Sequence, residues 1–150
     1  RPITLLVLGS PDPNNRSSVE LDKIKAWHKQ GLINWKRKTQ NVIPLIQKSK
    51  IAVLPSYREG LPKALLEAAS CELPIITSNT VGCKEICINK YNGLLVPVGD
   101  YISLANAIEE ILDNKKLARF YGKNGRKLVI KKFSNKIVNK HFLNVYKQYI

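Results

Sequence analysis

The chain has 150 residues, 44% of them hydrophobic, and its 25 Lys and Arg against 11 Asp and Glu give a formal net charge of +14. That length and apolar content suit one domain with a substantial core, and no apolar run approaches the roughly 18 to 20 residues that span a bilayer. Three cysteines, Cys71, Cys83 and Cys87, lack framework spacing and argue for reduced thiols rather than a disulfide scaffold; with only His28 and His141 beside them, a zinc site is poorly supplied. No signal peptide is visible. There is no Met, so the expectation is a processed chain or a piece of a longer one.

Along the chain, strands alternate with helices, which predicts an α/β fold with a parallel sheet. The apolar run Ile3–Gly9 reads as a strand leading into a Gly-Ser-Pro-Asp-Pro turn, and Asn14–Ser18 as a polar loop. Val19–Lys29 has helical periodicity, with Leu21, Ile24 and Trp27 on one side, and Gly31 stops it. A short strand Leu32–Trp35, a basic loop Lys36–Gln40 and a short helix Val42–Gln47 follow. Ile51–Leu54 is a strand ended by Pro55. Pro62–Ser70 is a helix and Pro74–Thr77 a strand. Val81–Ile88 holds a helical turn, and Tyr91-Asn92-Gly93 turns the chain into the strand Leu94–Val96. Tyr101–Leu112 is amphipathic, capped by Asp100, with Leu104, Ala107, Ile108, Ile111 and Leu112 inward. Lys115–Ile130 and Asn135–Ile150 are two further helices, broken at Phe133-Ser134 with Ser134 as the candidate cap. With no repeat and no low-complexity linker, the expectation is one domain over residues 1–150 with a helical C-terminal extension.

The chemistry concentrates in Pro55-Ser56-Tyr57-Arg58-Glu59-Gly60-Leu61-Pro62-Lys63-Ala64-Leu65-Leu66-Glu67-Ala68-Ala69-Ser70. In open parallel sheets ligands bind beyond the carboxyl ends of the strands, which is where this segment begins. Pro62 suits the first helical position, where its missing N–H is no loss. The N–H groups of Leu61, Lys63 and Ala64 are then free donors able to grip a phosphate, helped by the helix dipole. Gly60, without a Cβ, permits close approach to its backbone. Glu67 lies among Leu65, Leu66, Ala68 and Ala69, so its carboxylate needs a partner: either Lys63, one helical turn earlier, or a pair of ligand hydroxyls. Glu59 either complements the helix start or, if a phosphate holds those amides, points toward the group the phosphate carries.

This segment resembles the Glu-x7-Glu motif of retaining GT-B glycosyltransferases of family 4. The resemblance continues in order through Leu73-Pro74-Ile75-Ile76-Thr77, Gly82-Cys83-Lys84-Glu85, Asn92-Gly93-Leu94-Leu95-Val96, and Asp100 with Leu104-Ala105 behind it. Within the family it looks most like bacterial transferases that build polysaccharides on undecaprenyl-linked sugars. The resemblance implies a Rossmann-like parallel sheet with helices on both faces, the C-terminal, donor-binding half of a GT-B fold. It implies that Glu67 holds the ribose hydroxyls of a nucleoside-diphosphate sugar, with UDP as the expected nucleotide. Glu59 contacts the donor sugar at the catalytic centre. Gly60, Leu61, Pro62 and Lys63 line the diphosphate end, and the Trp35-Lys36-Arg37 loop cradles the base. For Trp35 a core aromatic is the competing reading. Gly82–Glu85 is expected to pack the fold rather than act in catalysis. Transfer is expected without a metal or other cofactor, toward a lipid-linked or saccharide acceptor bound by an N-terminal domain that these residues lack.

The first strand-helix unit, which in the family carries an Arg and a Lys for the donor phosphates, is also expected to lie outside these residues. Three positions depart from the family pattern. Lys36 and Glu72 stand where Gly is common, and Val81 where Pro is common. If position 72 is left-handed, Glu there costs on the order of 1 kcal/mol. These departures keep open an alternative, a catalytically silent remnant or a regulatory nucleotide-sugar-binding module.

Charge adds one more expectation. Residues 114–150 hold eleven Lys and Arg and no Asp or Glu. Such a stretch is either a solvated surface or a patch that faces anionic lipid, nucleic acid or a partner domain. A cytoplasmic chain, peripheral on the inner face of the plasma membrane, is the expected setting. A nucleic-acid role is not expected, because Phe120, Tyr121, Phe133 and Tyr146 are spaced for a helix core rather than for base stacking.

Overall fold

The computed structural model describes residues 2–12, 14 and 18–149, and it has the expected Rossmann-like α/β architecture of parallel strands alternating with helices. The chain divides into two compact units, Arg1–Val42 and Ile43–Ile150.

In the first unit, β1 (Leu6–Leu8) and β2 (Asn34–Lys36) pair in parallel, with α1 (Leu21–Lys29) between them in sequence. The strand β1 is shorter than the apolar run that contains it. The β2 strand starts two residues later than its sequence suggests, because the Leu32 N–H is still tied to the Trp27 carbonyl of α1 at 3.0 Å. As a result Lys36, expected in a loop, is the last residue of β2. Gly31 ends the helix with φ +74°, a conformation that favours glycine. Of the loop expected over Asn14–Ser18, residues 15–17 lie outside the described residues.

The second unit runs α2 (Ile43–Gln47), β3 (Ala52–Leu54), α3 (Lys63–Ser70), β4 (Ile75–Ser78), α4 (Val81–Ile86), β5 (Gly93–Val96), α5 (Tyr101–Asp113), α6 (Lys115–Phe133) and α7 (Asn135–Tyr146). Its sheet is parallel in the order β3-β4-β5, with Val53 opposite Ile76 and Ile76 opposite Leu94. The central strand β4 is buried along its whole length. Successive side chains of a strand face opposite ways, and the core divides accordingly. Ile75 packs with Leu65 and Ala68 of α3 and Ile86 of α4. Ile76 packs with Leu94, Val96, Ala107, Ile111 and Tyr121 on the other side. Helices therefore cover both faces.

Several contacts are backbone against backbone. A Cβ on Gly93 would lie 2.0 Å from the Ile75 carbonyl oxygen, and one on Gly122 1.9 Å from that of Glu72. Gly93 is accordingly the first residue of β5, one earlier than expected, and Gly122 lets α6 close onto the end of α3. Buried Asn92 fixes the turn before β5: its Oδ1 accepts from the Ile88 N–H and its Nδ2 donates to the Ile86 carbonyl, each at 2.7 Å. Asp100 caps α5 as expected, accepting from the Ser103 N–H at 2.9 Å, and Asn114 caps α6 through the Leu117 N–H at 2.9 Å. Ser134 stands at the N-cap of α7, but its side chain makes no capping bond. The α7 helix stops at Tyr146 and buries no residue; Phe142, Leu143, Val145 and Tyr146 are all more than half exposed. Among the described residues no helix is long and apolar enough to cross a membrane.

Candidate functional site

At the end of β3 the chain leaves the sheet through Pro55 and makes an open turn over residues 56–61 before entering α3. Pro62, expected at the first helical position, is instead the N-cap, with φ −70° and ψ 103°. Its carbonyl receives the N–H groups of Leu65 at 3.0 Å and Leu66 at 3.4 Å. The earlier N–H groups, those of Leu61, Lys63 and Ala64, have no hydrogen-bond partner among the described residues, and no side chain caps the helix. The start of α3 thus presents unsatisfied donors at the positive end of a helix dipole.

Glu59 does not take up those donors. Its Oε1 accepts from the Ser56 hydroxyl at 2.6 Å, and the side chain is half-buried. Ser56 was not singled out from the sequence, although a Ser three residues ahead of a Glu is a spacing that often marks reciprocal bonding at a helix start. The loop is also gripped from the far side. A Cβ on Gly82, at the start of α4, would lie 2.0 Å from the Gly60 carbonyl oxygen and 2.4 Å from that of Glu59. Gly82 acts through packing, as expected, and what it packs against is the backbone that carries Glu59.

Glu67 lies one turn into α3, where Leu65, Ala68 and Ala69 are buried. Its Oε1 is 3.5 Å from the Lys63 ammonium, so the ion pair considered from the sequence forms. The lysine side chain is 87% exposed and the glutamate 30%. A pair this open contributes about 0.3–0.5 kcal/mol. The second carboxylate oxygen of Glu67 has no hydrogen-bond partner among the described residues. Tyr57, Arg58 and Leu61 are exposed around the loop, while Pro62 is buried beneath it. A shallow cavity of about 230 Å³ lies beyond the carboxyl ends of β3, β4 and β5, lined by Pro55, Tyr57, Ser78, Pro97, Asp100 and Tyr101 among others. Neither Glu59 nor Glu67 lines it.

Trp35 and Lys36 belong to the first unit. Trp35 is half-buried in β2, and its indole N–H donates to the Gly9 carbonyl at 2.9 Å, which anchors the end of β1. Lys36 is exposed, and its carbonyl accepts from the Gly9 N–H at 3.0 Å. Glu72, between α3 and β4, is left-handed with φ 59°. The Arg126 guanidinium donates to the Ser70 carbonyl at the end of α3 and lies 3.9 Å from the Glu72 carboxylate. Burial, and secondarily the neighbouring Cys83, pushes the Cys87 thiol up to about 12, so it stays protonated at neutral pH. Among the described residues no three His, Cys, Asp or Glu side chains gather as metal ligands would.

A family model described as "Glycosyl transferases group 1" matches residues 1–128. The chain is 30% identical over 148 residues to the Staphylococcus aureus "Capsular polysaccharide biosynthesis glycosyltransferase CapM", covering 99% of this chain and 38% of that protein. It is 35% identical over 103 residues to the Escherichia coli "UDP-Gal:alpha-D-GlcNAc-diphosphoundecaprenol alpha-1,3-galactosyltransferase", covering 69% of this chain and 26% of that one. Among solved structures it is similar to sucrose-phosphate synthase from Thermosynechococcus elongatus, with a TM-score of 0.85 and 29% identity over 97% of this chain and 38% of that protein. The chain therefore spans well under half the length of these relatives.

Proposed function

Since the chain belongs to the glycosyl transferases group 1 family, we propose that it is the donor-binding half of a retaining GT-B glycosyltransferase and that its ligand is a UDP-sugar. The observation that carries this reading is the start of α3, where unpartnered N–H groups lie between a positioned Glu59 and a Glu67 that is only loosely paired. In the reading, the amides of Gly60, Leu61 and Lys63 receive the diphosphate, with Pro62 holding the turn beneath them. Lys63 supplies a mobile positive charge. Glu67 accepts from the two ribose hydroxyls, for which a carboxylate has the acceptor capacity. Glu59, held by Ser56, faces the donor sugar.

Chemically, the bond from the anomeric carbon to the diphosphate breaks and negative charge develops on the leaving phosphate. Fixed N–H dipoles at a helix start stabilise such charge without reorganising, and on this account transfer proceeds without a metal. The acceptor is proposed to be a lipid-linked or other saccharide. The E. coli relative's name, which couples UDP-Gal with a diphosphoundecaprenol acceptor, supports that choice. Acceptor binding and turnover are assigned to an N-terminal domain beyond these residues, with the exposed apolar side of α7 packing toward it. The 150 residues alone are then expected to bind donor without transferring it.

Calorimetric titration with UDP and UDP-sugars tests the reading. Saturable binding of UDP at up to millimolar concentration, with no response to the free sugar, supports it. A folded sample that does not respond to UDP contradicts it and favours a silent remnant, a reading to which the left-handed Glu72 lends some weight.

A further inference from the structure

We propose that the outward face of α6 is a docking surface for an anionic lipid bilayer. The inference is independent of the donor site.

The inner side of α6 is consumed by packing: Tyr121, Gly122, Asn124, Gly125, Leu128 and Val129 are buried. The exposed residues Lys116, Phe120, Lys123, Lys127, Ile130 and Lys131 recur at spacings of three and four and fall on one stripe. Arg119 lies at its edge. Two things set this stripe apart from an ordinary solvated face. First, among the described residues no carboxylate forms an ion pair with its cations. The ion pair that α6 makes among the described residues is that of Arg126 with Glu72, to one side, and residues 114–150 contain no Asp or Glu at all. The acids Glu109, Glu110 and Asp113 belong to the preceding helix α5. Second, the stripe holds two large apolar side chains among its cations, Phe120 at 51% and Ile130 at 55% exposure. They are ten residues apart, about 15 Å along the helix.

Cations flanking outward-pointing apolar groups are the pattern of a helix that lies in a membrane interface: the lysines meet lipid headgroups while the apolar side chains enter the acyl boundary. Charge complementarity selects an anionic surface. Against a nucleic acid, Ile130 offers no ring to stack on a base, and Phe120 is a single aromatic on the stripe. With two apolar anchors the attachment is reversible, and each basic residue contributes about fivefold in affinity near an anionic surface.

The test uses the 150-residue chain and sedimentation with phosphatidylglycerol–phosphatidylcholine vesicles, phosphatidylcholine vesicles as reference, and circular dichroism of each variant to establish folding. The expected result is binding to the anionic vesicles only, weakened by salt. Lys123→Glu with Lys127→Glu reduces it by about 25-fold or more. The equal charge change Lys48→Glu with Lys50→Glu, at exposed residues beyond α2, leaves it near wild type. If the reversals disturb the helix, Lys123→Gln with Lys127→Gln replaces them. Phe120→Ser with Ile130→Ser, which leaves the charge untouched, also weakens vesicle binding. Equal losses from the two lysine pairs would show a general charge effect and overturn the proposal. So would full affinity in the Phe120→Ser, Ile130→Ser variant, no preference for anionic vesicles, or tighter binding to a DNA duplex than to vesicles at the same salt.

Discussion

Asp100 accepts from both the hydroxyl and the backbone N–H of Ser103, at 2.6 and 2.9 Å, and these bonds, the side-chain one foremost, hold its carboxyl below the usual carboxylate range. A carboxyl lowered in the folded state stabilises the fold above its unfolded pKa of about 3.9, and that contribution is lost as pH falls through the folded value. Asp100→Ala should therefore be less stable than the wild type at neutral pH. The gap should narrow as pH falls below about 4, as read from urea unfolding curves at several pH values. A gap that stays constant with pH would mean that the carboxylate charge plays no part in the cap. Asp100 was legible in the sequence because a cap acts within its own turn. The left-handed backbone at Glu72 was raised as a question by the family resemblance, which has Gly at that position, and its φ of 59° answers it. The Ser56–Glu59 bond is equally local, yet the polar turn offered Glu59 several neighbours, and only the fold selects one.

At the scale of elements, α3 is positioned by two glycines on other helices. Gly122 of α6 allows the end of α3 to approach, and Gly82 of α4 allows the loop ahead of α3 to do so. The two should separate experimentally. Gly122→Ala places a methyl against the Glu72 backbone and should lower unfolding free energy by about 1–3 kcal/mol through overpacking. It should leave donor affinity unchanged in the fraction that remains folded, as measured by denaturant melts and calorimetry. Gly82→Ala pushes on the Glu59 and Gly60 carbonyls themselves. It should weaken UDP-sugar binding more than its loss of stability explains, through displacement of Glu59. Equal binding losses in the two variants would indicate a general loosening of the unit instead. Neither contact could be read from the sequence beyond a glycine at a helix start or inside a helix, because the partner atoms are 22 and 50 residues away.

For the molecule as a whole, the alternation of apolar runs with amphipathic segments was enough to foresee parallel α/β structure, whereas helices on both faces, as the second unit has them, were implied by the family resemblance. The runs are short, and chain order with short connections leaves few arrangements. The division of the core by the alternation of Ile75 and Ile76 follows from that pattern. The boundaries were less legible. The start of β2 and the first residue of β5 are set by bonds to other elements, Leu32 to α1 and Gly93 to Ile75. Of the candidate site, the Glu59–Glu67 segment was legible as one stretch because a strand end, a turn and a helix start occur within sixteen residues. Trp35 is the counterexample: its indole is committed to Gly9, a partner that only the pairing of β1 with β2 brings near. The account depends most on Glu67, whose carboxylate has two claimants, the exposed Lys63 and the ribose of a donor. The decisive measurement is the UDP affinity of Glu67→Ala beside that of Lys63→Ala and the wild type, by calorimetry. Loss of hydrogen bonds to a charged group weakens binding by about 1.5–3 kcal/mol, so Glu67→Ala should bind UDP about tenfold or more weakly, with Lys63→Ala falling between it and the wild type. Unchanged affinity in Glu67→Ala would contradict the ribose assignment and leave Glu67 as the surface partner of Lys63.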